Sequence, residues 1–447
     1  MVSRRRALEL AIGSLAAAAG CLGDPGGNQS TTAGTTASPA DENATPAVRT
    51  PGDVPEWTPD WRLSFDGRVL GLDTAGDDLL ATLSGGGSAA VAAVDPATES
   101  VRWRTWYEGE PVAGSHADAR PLARGKWGLT VAEDAVYLVA GRADEREWTA
   151  VRALGRDGDP HWSFRREREL GVAGTVDGRV VVTALEFFPA KGETPVSHET
   201  PASPLSTVVY GLDADDGTVD WSREFIGVAD VAVAGGVYVA TNDRLVGLDP
   251  DGSDRFEYES GPGERVAATG DRVFYLSGGD DRAIHGLAPG GERAWRHSLP
   301  VEELLLDGSQ LYAGGDAVAA VEADGAVAWR GNEVGQWLLL DPDRDTLYAR
   351  SGAMADATTA YGAGGGRRFT FAPPANDAWP AAATANALVA PAITGGNADE
   401  PFLTVYAVDA DGRASAALGR DTVFDAVGRE EKVYLADGRS NLLALTP

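Results

Sequence analysis

Few residues in this chain have the types and spacing that chemistry requires. His116, His161, His198, His285 and His297 are the five histidines, and no two stand four residues apart as helical zinc ligands do. Cys21 is the single cysteine, which excludes an internal disulfide framework and an all-protein, cysteine-rich zinc site. Asp341-Pro-Asp343-Arg-Asp345 alternates carboxylates as a calcium loop does, but it lacks the later Gly and Glu of an EF-hand and reads as a turn. Gly362-Ala-Gly364-Gly365-Gly366-Arg367-Arg368 has the glycines of a phosphate cradle without the Lys-Ser/Thr or the helix that would complete one. No catalytic residue, metal ligand or cofactor site is assigned.

The elements that would position such groups repeat along the chain. Val94-Asp95 is followed by Trp103, Leu212-Asp213 by Trp221, Leu248-Asp249 by Phe256 and Val321-Glu322 by Trp329. Weaker copies pair Leu154 with Trp162, Leu287 with Trp295 and Tyr361 with Phe369, while Val408-Asp409 meets Ala416 where the aromatic belongs. Ahead of these turns lie steps such as Val136-Tyr137, Val237-Tyr238 and Leu347-Tyr348, whose period-two patterning predicts strands. Units of roughly 34 to 47 residues match one four-stranded propeller blade. Nine units can be counted, and the last, from Val423 to Leu445, holds three strands. Its fourth is predicted at Asp60 to Phe65, closing the ring by pairing the two ends and removing exposed sheet edges.

Asp213-Ala-Asp-Asp-Gly217-Thr-Val-Asp-Trp221 resembles the signature Asp-x-x-x-Gly-x-x-x-Trp of the pyrroloquinoline-quinone-like propeller repeat, over about residues 60–447. The resemblance implies an all-β propeller, usually of eight blades, whose tryptophans dock against the neighbouring blade. The family contains quinone-dependent dehydrogenases and non-catalytic propellers. The dehydrogenases typically carry an adjacent cysteine pair, bound calcium and a catalytic aspartate; a chain with one cysteine cannot supply the pair. The chain is more similar to the lipoprotein branch, which includes a propeller that assists outer-membrane protein assembly. A quinone-dependent dehydrogenase or other cofactor-binding enzyme is the alternative.

The first residues read as an address. Ser3-Arg4-Arg5-Arg6-Ala7-Leu8, a short apolar stretch and Ala18-Ala19-Gly20-Cys21 resemble a twin-arginine signal ending in a lipobox, with lipid received at Cys21 after cleavage. Residues 21–59, rich in Gly, Thr, Ser and Pro, are expected to form a disordered tether. The 67 acidic residues against 38 basic ones give a formal charge of −29, and Lys126, Lys191 and Lys432 are the only lysines. This balance disfavours nucleic acid as a partner and resembles proteins of salt-in halophilic archaea. The expected protein is a monomer exported and lipid-anchored on the outer face of the cytoplasmic membrane. It would bind a protein or extracytoplasmic ligand there.

In a four-strand meander the first-to-second and third-to-fourth turns share one face, and the remaining connections share the other. The longer insertions, Tyr107 to Lys126 between the first two units, Phe187 to Leu205 within the third and Gly395 to Pro401 late in the chain, fall in the second class, so that face is expected to carry Trp106, Tyr107, His116, Trp127, Phe187, Phe188, Lys191, His198 and Trp379. Replacing Cys21 by Ser is expected to move the protein from the membrane fraction to the medium or to leave an uncleaved precursor, visible by fractionation and mass. Retention of mature protein on the membrane would refute the anchor.

Overall fold

Val, Ala, Leu and Tyr alternate through the repeats, and each run is cut by a Gly/Asp turn, so the chain folds as short antiparallel strands. The computed structural model describes residues 48–49, 54–112, 128–141, 148–185, 206–279 and, with interruptions, 281–447. Among them lie nine sheets, each built on four consecutive strand positions, and no helix. They form a nine-bladed propeller. Blades 1 to 8 span 68–108, 110–166, 169–226, 228–258, 263–297, 301–331, 336–371 and 382–420. Blade 9 takes three strands from 425–445 and its outer strand from Trp61–Ser64, which pairs antiparallel with Asn441–Leu445. The predicted closure is therefore present. The eight blades implied by the resemblance are corrected to nine, because each counted unit supplies a complete sheet of its own.

Apolar side chains of adjacent blades meet in clusters between the sheets. One joins Val180 and Leu212 of blade 3 to Tyr137 and Phe164 of blade 2. Inner strands are latched as well. Asp425 Oδ2 accepts from Leu72 N at 2.8 Å, Asp230 Oδ2 from Val266 N at 3.0 Å and Glu303 Oε2 from Leu338 N at 3.3 Å, each carboxylate reaching from one blade to the next.

Further out, each aromatic of the repeat lies across the following blade's third-to-fourth turn. Trp221 Nε1 donates to Pro250 O at 2.8 Å, and a Cβ on Gly252 would stand 2.5 Å from the indole. Gly252 has φ +81°, so its lack of a side chain serves both the turn and the ring above it. The same contact joins Trp103 to Gly158, Trp162 to Gly217, Phe256 to Gly291, Trp295 to Gly325, Trp329 to Gly365 and Phe369 to Gly412. The docking implied by the resemblance is thus present at seven consecutive junctions.

The two exceptions flank the seam. Ala416 of blade 8 cannot dock, and Trp57 takes the place of the missing ring. Trp57 N donates to Ala417 O at 2.7 Å, Ala417 N donates to Pro55 O at 2.9 Å, and the indole Nε1 donates to Thr446 O at 2.9 Å. The ring is 4% exposed, within the apolar cluster between blades 8 and 9. Upstream, Val48–Arg49 pairs in parallel with Thr370 and Phe371 of blade 7. Residues 48–49 and 54–59, assigned to a tether from their composition, therefore run beside blades 7 and 8. One tryptophan and backbone pairing supply what composition did not reveal.

A second correction concerns the insertion expected between the first two blades. Glu110–Pro111 and Leu129–Val131 both pair with Ala135–Gly141, so the insertion interrupts the inner strand of blade 2. Its pairing partner is continuous, which is why the split was invisible in the repeat spacing.

Replacing Trp57 by Ala is expected to cost about 3–5 kcal/mol, as for other buried aromatics, because it opens a cavity in the cluster between blades 8 and 9. Chemical denaturation checks this; a cost under about 0.5 kcal/mol, typical of an exposed position, would show that the seam does not need the ring.

Candidate functional site

The two faces of the ring carry different chemistry. On the face of first-to-second and third-to-fourth turns, carboxylates are consumed by their own backbone. Asp95 Oδ1 accepts from Ala97 N at 2.9 Å and Thr98 N at 3.2 Å; Asp213 Oδ1 accepts from Asp215 N at 2.8 Å and Asp216 N at 3.2 Å. The Thr98 amide and Arg102 hold the Asp95 carboxyl down at about 2. Asp341 Oδ1 accepts from Asp345 N at 2.8 Å, so the calcium-like stretch begins and ends as a turn between the first two strands of blade 7. Gly362 to Gly366 also closes a turn, with Gly365 N donating to Gly362 O at 2.8 Å. Among the described residues no group of three or more His, Cys, Asp or Glu side chains is placed to hold a metal.

The opposite face has two open cavities lined by arginine. The larger, about 570 Å³, is bounded by Arg165, Arg166, Glu167, Arg168 and Tyr210 where blade 2 passes to blade 3. The smaller, about 240 Å³, is bounded by Arg62, Arg420, Asp437, Arg439 and Asn441 at blades 8 and 9. Burial and the charge of Arg62 push the Arg420 guanidinium down from its ordinary range, although Asp437 opposes this. Sequence reasoning passed over these arginines. The signal was the Arg165-Arg166-Glu-Arg168 run, conspicuous in so acidic a chain.

Of the predicted face, Trp106 and Tyr107 can be placed. Both lie near the end of Ser100–Glu108, the outer strand of blade 1, where it reaches this face. Alternation sends them to opposite sides. Trp106, 37% exposed, turns toward Gly67 with Arg104 at 5.7 Å from its ring centroid. Tyr107 turns toward blade 2, where Arg152 stands 5.4 Å from its ring and burial raises the phenol's pKa. They do not converge on one site. Cys21, His116, Trp127, Phe187, Phe188, Lys191, His198 and Trp379 lie outside the described residues.

One buried constellation has the outline of a nucleophile and base. His285 Nε2 is 3.1 Å from Ser277 Oγ, and its Nδ1 is 2.9 Å from Tyr258 OH. His285 is 2% exposed and Ser277 1%, so the pair is sealed inside blade 5 and packs against Tyr275. It serves the core.

Residues 205–336 match the family model described as outer membrane protein assembly factor BamB. The match runs from the third strand of blade 3 to the start of blade 7 and supports the repeat family that the signature resembles. No curated protein matches the sequence. Among solved structures, the chain is similar to BamB from Moraxella catarrhalis at 13% identity, covering 88% of this chain and 100% of that one, with a TM-score of 0.47. A europium-containing methanol dehydrogenase is similar at 12% identity, covering 87% and 93%, with a TM-score of 0.44. Quinohemoprotein alcohol dehydrogenase from Comamonas testosteroni is similar at 11% identity, covering 88% and 76%, with a TM-score of 0.45.

Burial, reinforced by Arg296 and Arg293, holds His285 down at about 4, against about 6.5 in an unfolded chain. Between those values the unfolded state binds the extra proton, so folding stability falls as pH drops from 6.5 to 4, by on the order of 3 kcal/mol at full effect. The variant His285→Gln is expected to flatten that part of the stability profile, measured by denaturant midpoints at pH 7 and 4.5. An unchanged slope would remove His285 as its cause.

Proposed function

We propose that this chain is a non-catalytic propeller, exported and lipid-anchored through Cys21, that binds an extracytoplasmic protein on the face bearing the second-to-third and blade-to-blade connections. The carrying observation is the division of charge between the faces. The acidic turns on one face are spent on their own backbone, whereas the other presents two arginine-lined cavities. Long-range repulsion from an acidic protein is screened within about 8 Å at physiological salt, so local cationic corners still select partners there.

A rigid ring suits this task, since connections on one face are held in fixed relation by the blades beneath. The partial match to a family model described as an assembly factor supports a protein-handling role over catalysis.

A photo-crosslinking residue at Trp106, compared with one at Asp324 on the opposite face, tests the reading in native membranes at high salt. A specific protein adduct is expected from position 106 and not from 324. Equal adducts from both positions would overturn the choice of face. Dye-linked alcohol or sugar oxidation after addition of quinone and calcium would replace binding with catalysis.

A further inference from the structure

Four guanidiniums crowd one corner of blade 2 in a chain whose net charge is −29. Arg165 and Arg166 end the outer strand Pro160–Arg166, Arg168 stands in the turn to blade 3, and Arg152 lies on the adjoining strand Thr149–Gly155. They rest on rings. Arg165 is 4.0 Å from the centroid of Trp148, Arg166 is 3.9 Å from Phe164 and 5.4 Å from Tyr210, and Arg152 is 5.4 Å from Tyr107.

None of the four pairs with a carboxylate among the described residues, whereas Arg102, Arg179, Arg223 and Arg255 each do. Their polar contacts are few. Arg166 Nη1 donates to Arg165 O at 2.7 Å and Arg152 Nη1 to Ser163 Oγ at 2.5 Å, while Arg152 Nε and Arg168 Nη1 are buried without an acceptor. Burial and Arg165 push Arg152 down, partly offset by Tyr107 and Glu108; Glu167 is the carboxylate lining the cavity itself.

A ring face holds a guanidinium through its π surface, which leaves the planar N–H fork at the edge free for an anion. Bidentate pairing with carboxylate or phosphate is what that fork does best. The layout separates these ligands. Successive residues of a strand point to opposite sides, so Arg165 and Arg166 do not converge on one point as a single phosphate would require. Instead the arginines spread around an open cavity of about 570 Å³, beside a strand whose outer edge is unpaired.

We infer that this corner binds an acidic segment of a protein partner, with carboxylates spaced along an extended chain paired to Arg165, Arg166 and Arg168. The inference deepens the proposed function and rests on it for the identity of the ligand as protein.

Fluorescein-labelled hexaglutamate is the probe, titrated by anisotropy against the full-length protein at about 0.15 M salt, where the Debye length of about 8 Å screens the rest of the surface. Binding is expected to weaken at least tenfold in R165Q/R166Q/R168Q and to stay unchanged in R413Q, whose guanidinium pairs with Asp411 on the other face. If the triple variant melts early, the exposed single variant R165Q carries the test, with a loss of about threefold. Equal binding by wild type and variant overturns the site, as does competition by inorganic phosphate or phosphatidylglycerol vesicles at a lower charge concentration than unlabelled hexaglutamate. Partner capture separates the two proposals. Capture lost in the triple variant supports both; capture retained while peptide binding is lost overturns this ligand assignment alone. With no partner captured by either protein, variant-sensitive peptide binding keeps the anion site and overturns the partner-binding reading.

Discussion

The ring depends on one contact, repeated at seven of its nine junctions: an aromatic ring of one blade laid on a bare glycine of the next. The acid, glycine and tryptophan of the repeat are close in sequence but do different work. The acid caps its own turn, the glycine opens that turn to the preceding blade's aromatic, and the tryptophan leaves for the following blade. Every repeat is thus incomplete alone. Antiparallel pairing makes a blade, but only the exchange of rings across junctions and the clusters between sheets make blades adhere.

This logic explains the seam. No covalent turn joins the third and fourth strands of blade 9, which come from opposite ends of the described chain. Thr446 Oγ1 donates to Asp60 Oδ2 at 2.7 Å, bridging the position where other blades carry their turn. Trp57 then caps the gap beside Ala416, its indole donating to Thr446 O as Trp221 donates to Pro250 O. The segment before the first blade is accordingly part of ring closure. It supplies an aromatic that one repeat lacks.

Charge follows from the same geometry. Turns on one face must be tight, and carboxylates stabilise them by accepting backbone N–H groups, so acidity there is structural. Connections on the other face are freer in length, and there arginines rest on aromatic platforms. An acidic chain can therefore present cationic corners without contradiction, because net charge says nothing of where each sign is displayed.

All-β class, strand periodicity, the nine units and closure by Trp61–Ser64 were legible in the sequence, because they follow from period-two patterning and local turn chemistry that a linear reading can detect. The docking role of the aromatics was legible only through resemblance. The capture of Trp57 by blade 8, the split inner strand of blade 2 and the sealing of His285 were decided by tertiary structure, since each depends on partners far away along the chain or on burial. The candidate site divides in the same way. Position in the repeat puts Trp106 and Tyr107 at the end of one outer strand, but strand alternation turns them apart. The arginine run was visible as letters, whereas its aromatic supports, and its lack of carboxylate partners among the described residues, arise only where Trp148, Phe164 and Tyr210 meet around one corner. Local sequence sets what each strand and turn can be; the face on which a side chain meets its neighbours is settled when the ring closes.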